Sequence, residues 1–349
     1  MTAVLLSLVA PLGLLLLVLM PAWIELRRPT DVEPLNVPHD HDNHATRFAT
    51  SYRARLQAMF GAPLAQTLQG IEWAGAARVD SVQVWLAAAL AAPSAELPVA
   101  CAGDLQLPER WRSSHEVFAA GDLRIGEGAS ARALLADGAV WLGAGSRVAR
   151  WVHGRDVHFG AGSAVDARVT ADRRIELCEG ATFLRAHAPT IAWPRGAASV
   201  EAVVQPADMH DFAGAPGAQL NELNERWVVF RELDLPPSTR VRGDLIVHGD
   251  LQMRENCRIE GSLKVHGRLT MEPGCVITGA CIGVRRIEIA QGCRIAGPLV
   301  GEGDLRIGPD SVVGELARPT SVNARSIALR RGACVHGTVW AKQLAYGIG

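Results

Sequence analysis

The sequence predicts an all-β protein: a β-solenoid wound as a triangular helix of about eighteen residues per turn, preceded by an N-terminal transmembrane helix. Three observations predict it. The phrase GDLRIG stands at residues 121–126 and again at 303–308, with relatives beginning at Gly103 and Gly243. Aliphatic residues recur in steps of eighteen through the second half, and residues 3–24 carry no charge.

The uncharged stretch comes first. It has 22 residues, and about 20 helical residues span the hydrocarbon core. Segment 1–28 therefore reads as a membrane anchor. The alternative, a cleaved signal peptide, wants a basic start and a small-residue cleavage site, and no Lys or Arg precedes Arg27. With Arg27 and Arg28 held inside, the expected location is the cell inner membrane, single-pass, with the soluble part in the cytoplasm. Segment 29–45 is a proline-bearing polar linker. Its His39, His41 and His44, with Asp40 and Asp42, could ligate a metal, but a solvated linker offers no fixed geometry. In the region 46–96, Phe48, Tyr52, Leu56, Met59 and Phe60 recur at helical spacing beside Arg47, Arg53 and Arg55. Such a helix either lies on anionic lipid or caps the domain that follows.

The coil is clearest in segment 227–349. Leu245, Leu263, Cys281 and Leu299 fall in one column, and Leu251, Leu269, Ile287 and Leu305 in another. Val241, Ile259, Ile277, Ile295 and Val313 form a third, the expected core ladder. Each phrase puts two side chains inward at i and i+2, which share a face of a strand. Three such strands make a turn, and turns stack about 4.8 Å apart. Gly243, Gly249, Gly261, Gly267, Gly279, Gly297 and Gly303 mark bends, where φ values that side chains disfavour are expected. Segment 97–200 repeats the rule more loosely, with Leu123, Val140, Val157, Ile175 and Ile191 in step. Segment 201–226 breaks the register. It reads as a loop thrown out of one coil, or as a boundary between two.

Chemistry is sparse. Lys+Arg 35 against Asp+Glu 36 leaves no basic footprint for nucleic acid. Seven cysteines without a CxxC pair suggest neither a disulfide framework nor a zinc ribbon. Cys257, Cys275 and Cys293 share one column, as a metal ladder or as small corner fillers. His248 and His266 stack outward, and His115 sits in a loop that weakly matches an acyltransferase setting. No P-loop, GxSxG or HExxH occurs. No catalytic, cofactor-binding or metal residue is assigned, and no cofactor is expected.

The bend-punctuated GDLxVxG rungs behind an apolar N-terminus resemble the bactofilins, bacterial polymer-forming cytoskeletal proteins. The resemblance covers 97–343 and is best over 227–316. It implies a right-handed triangular β-helix that forms a homopolymer end to end without nucleotide. It also implies a place on the cytoplasmic membrane as a scaffold for envelope or cell-wall machinery. A coil end with unpaired strand edges recruits another edge, and a contact that does not close on itself gives a filament. The last rung, at Val339, is the expected assembly end. Two other functions compete. A hexapeptide-repeat acyltransferase needs a histidine in a cleft between subunits. A membrane-anchored module binding envelope polysaccharide needs carboxylate clusters or aromatic platforms on successive rungs.

Overall fold

The computed structural model describes residues 20, 45–61, 94–194, 208–215, 218–221 and 225–349, and the backbone of short strands at 77–79, 82–85 and 88–89. The chain divides into two units, 1–44 and 45–349. Both coils, and the helix that packs on the first of them, lie in the second unit.

Second-coil strands stack in register on three faces. On the first, Leu245, Leu263, Cys281 and Leu299 lie one above the other, followed by Val322 and Val339. On the second, Leu251, Leu269, Ile287 and Leu305 do the same. On the third, the structure places Val241, Ile259, Ile277, Ile295 and Val313 in one column, each at most 2% exposed. These are the Val247, Met253 and Ile259 faces, named after an inward residue of each. The first coil stacks likewise: Leu123, Val140, Val157, Ile175 and Ile191 are successive partners. One buried core runs through both coils.

The GD phrase has a specific cause. Asp104 Oδ1 accepts the Asp122 N–H at 2.8 Å, one turn on, and Asp250 Oδ1 accepts the Arg268 N–H at 2.8 Å. The glycine before each recipient lies directly against that carboxylate, so a Cβ on Gly121 or Gly267 would collide with it. The expectation of unusual φ values at the seven bend glycines is corrected: only Gly243 has positive φ. The others are glycine because the preceding rung leaves no room for a side chain. The left-handed corner lies elsewhere, at Ser238, Asn256, Gly274, Gly292, Asp310 and Gly332.

The helix Arg47–Phe60 packs on the side of the first coil, where Ala49, Tyr52, Leu56 and Phe60 are buried against Ala100, Phe118 and Leu135. Arg53 clamps Asp137 through Nε at 3.1 Å and Nη2 at 2.6 Å.

The expected transmembrane helix is corrected. Among the described residues no helix is long and apolar enough to cross a membrane. The helix Arg47–Phe60 has 14 residues, about 21 Å at 1.5 Å per residue, short of the roughly 30 Å hydrocarbon core. Apart from Met20, residues 3–24 lie outside the described residues, as do His39, His41 and His44.

Of segment 201–226, residues 208–215, 218–221 and 225–226 are described. Its strand Ala218–Asn221 pairs antiparallel with Arg226–Val229 at the outer end of the second coil. The first coil's outer end carries a matching antiparallel hairpin, Ala77–Val79 with Val82–Trp85. The two coils meet at their other ends, so chain order and stacking order differ.

Candidate functional site

Where the coils meet, Thr182–Ala192 pairs antiparallel with Cys334–Ile348. Phe183 faces Ala345, Ala186 faces Val339 and Ile191 faces Val335, so all three sides of the triangle are joined. Rungs within each coil pair parallel. At the junction the direction reverses, because two C-terminal rungs abut. The corners are joined as well: Gly332 N–H donates to Trp193 O at 2.8 Å and Gly347 N–H to Ala181 O at 3.0 Å. Outside, His187 Nδ1 lies 2.8 Å from Thr338 Oγ1, and the Arg185 guanidinium stacks 4.0 Å over Trp340.

This corrects the expectation for Val339. It is fully buried against Ala186 of the same chain and offers no open end. Its rung's hydrogen-bonding groups are taken up internally.

An outward row of the first coil leads toward the junction. Along it, Arg124 stacks 4.2 Å over Trp141, and Trp141 stacks on His158 with centroids 5.2 Å apart. His158 Nδ1 lies 2.9 Å from Glu176 Oε2, and the Arg174 guanidinium also meets the Glu176 carboxylate. Burial pushes the Glu176 carboxyl up, but hydrogen bonds from Arg174 and His158 outweigh it and hold the group below its ordinary value. Across the junction, Cys334 Sγ lies 3.7 Å from His336 Nε2, while His336 Nδ1 meets Pro189 O at 3.0 Å. A carbonyl accepts only a proton, so Nδ1 carries it and Nε2 faces the sulfur. Burial pushes the Cys334 thiol up to about 11, so at neutral pH it stays protonated. This pair is a half-buried polar contact, not an activated nucleophile.

Sequence reasoning singles out none of these residues. Trp141, His158 and Glu176 are rung neighbours, and writing out outward positions would have aligned them. Cys334 and His336 could not be placed beside them without knowing the junction.

The other candidates resolve individually. Cys257, Cys275 and Cys293 are corner donors, giving their S–H groups to Pro236, Arg254 and Glu272 carbonyls at 3.0, 3.1 and 3.3 Å. Thr239 and Ser311, in the same column, do this with hydroxyls at 2.6 and 2.7 Å to Pro236 and Ala290. Hydrogen bonds with its two sulfur neighbours, together with burial, push the Cys275 thiol far up. His248 and His266 stack with centroids 4.8 Å apart, and exposed Phe230 continues the stack. His115 is half-buried, its backbone N–H donating to Ser113 Oγ at 3.1 Å. Among the described residues no group of three or more His, Cys, Asp or Glu could hold a metal ion.

No family model, no curated protein and no solved structure matches this chain.

Proposed function

We propose that the chain is a structural scaffold, a stiff double coil that associates end to end, as the bactofilin resemblance implies. The observation that carries this reading is the antiparallel junction. It joins two coils by backbone pairing on all three sides and makes a single stack about 60 Å long at about 4.8 Å per rung. The junction leaves only the outer ends for association. At one of them, among the described residues, Ala218–Asn221 is the outermost strand of the Val247 face, paired with Arg226–Val229, His210–Asp211 is that of the Ile259 face, and Leu220 is exposed. Edge strands of this kind template further pairing. A contact between outer ends of successive molecules does not close on itself and gives an open filament.

Burial keeps the Cys334 thiol protonated, so the Cys334–His336 pair does not itself support an enzyme reading. A polysaccharide platform needs open aromatic faces. Trp141 has Arg124 on one face and His158 on the other, and the stack of exposed Phe230 with His248 and His266 is the feature that would serve that reading.

Electron microscopy and sedimentation of the purified full chain test the proposal. Filaments of stacked rods are expected to form as concentration rises. Leu220→Glu should shift the chain toward monomer with a β-rich circular dichroism spectrum intact. A wild-type chain that stays monomeric at the highest concentration removes the mechanism.

A further inference from the structure

The three outward rows of the second coil differ. On the Met253 face, Gln252, Thr270, Glu288 and Arg306 succeed one another. On the Ile259 face, Arg240, Arg258, Val276 and Arg294 do. On the Val247 face the row is Ile246, Lys264, Ile282, Val300, Asn323 and Trp340. Four of these six are apolar, with Ile282 39% and Trp340 45% exposed. A parallel coil does not need this, because outward positions on the other two faces are mostly polar.

The junction shows what such a row is for. Its reversal relates the two coils by an approximate two-fold axis, with Ala186 opposite Val339. Counting outward, Ala186, Val169, Val152 and Leu134 on one side match Val339, Val322, Leu299 and Cys281 on the other. Ile282 is therefore the counterpart of Leu135. One rung further out, Lys264 is the counterpart of Phe118, and beyond it Ile246 is that of Ala100. Leu135, Phe118 and Ala100 are the residues that the helix Arg47–Phe60 buries. Among the described residues, nothing covers their counterparts.

We infer that the Val247 face of the second coil is a docking face for an amphipathic helix from a partner protein. That helix presents large apolar residues at i, i+4 and i+8, as Tyr52, Leu56 and Phe60 do on the first coil. It also carries a carboxylate for Lys264. On the first coil the charged contact has the opposite polarity: the helix supplies Arg53 and the coil supplies Asp137. On the second coil the coil supplies the cation, between Ile246 and Ile282, and an acidic partner satisfies it where a basic one is repelled. This mode, an apolar helix face laid on an apolar surface with charge fixing register, recurs in helix recognition. It does not depend on end-to-end assembly.

The probes are two labelled peptides, residues 46–61 of this chain and the same peptide with Arg53→Glu. Fluorescence anisotropy against the full chain should show saturable binding, with the Glu peptide the tighter. Ile282→Asp should weaken it by about tenfold or more, with an unchanged far-ultraviolet dichroism spectrum. Lys264→Glu, at an exposed position that the fold does not need, should reverse the order of the two peptides. Absence of binding by both peptides overturns the inference. So does equal binding by wild type and Ile282→Asp, or a peptide order that Lys264→Glu leaves unchanged. If the chain instead dimerises without peptide and Ile282→Asp abolishes that, the face is an interface between copies, and the helix inference is equally overturned.

Discussion

At the scale of single residues, two demands explain most of the sequence. Inward positions must be apolar, and corners must let one rung lie on the next. Ile277 sits between Ile259 and Ile295 with no exposure. A carboxylate there has no partner, and Ile277→Asp should destabilise the chain by several kcal/mol. Exposed Arg294, on the outward side of the same face, should tolerate Asp within about 0.5 kcal/mol. Denaturant titration of the two variants checks this, and similar midpoints would refute the register. The inward demand is legible because its period of eighteen is unbroken from Leu245 to Leu305. The corner demand is half legible. Glycine reads correctly as a corner residue but for the wrong reason, since crowding by the rung beneath leaves no trace in a single sequence. The Thr, Cys and Ser column at 239, 257, 275, 293 and 311 shares a donor role that the sequence shows only as small polar residues.

At the scale of elements, the helix Arg47–Phe60 is legible from its spacing, but its seat is not. Both the membrane surface and the end of the coil are reasonable seats for a basic amphipathic helix, and no sequence signal distinguishes either from the side of the coil. Its docking brings a testable acid sensitivity. His153 is 3% exposed, with Nδ1 2.9 Å from Thr170 Oγ1. Burial lowers its pKa, against the pull of Asp172, and the nearby Arg53 lowers it further. His187 is lowered by burial and by Arg168. Both groups thus stay neutral to lower pH in the folded chain than in the unfolded one. Above the ordinary histidine value of about 6.5 they cost nothing. As pH falls below it, the unfolded chain takes up protons that the folded chain refuses, and stability drops. The melting temperature should fall between about pH 7.5 and 5.5, on either side of that value, and His153→Gln should shrink that fall. An equal fall in both proteins would clear His153 of the effect.

At the scale of the whole molecule, the arrangement of the two coils is the least legible feature. Each terminal rung reads like any other rung, and no local signal tells whether its edge meets water, a second copy or the other half of its own chain. The pairing of 182–192 with 334–348 is long-range in sequence and antiparallel in a protein that is otherwise parallel almost throughout. The expected open end at Val339 fails for that reason.

The scaffold reading rests on this junction, and a crosslink tests it most directly. His187 and Thr338 are opposite each other on the outer surface of the antiparallel pair. Cα atoms of such pairs lie about 4.5–5.5 Å apart, within disulfide reach. The full chain carrying His187→Cys and Thr338→Cys, oxidised and digested, should yield a 187–338 linked peptide from material of monomer mass. Linkage found only in dimers and larger species, or no linkage at all, would contradict the internal junction and return the last rung to an open end.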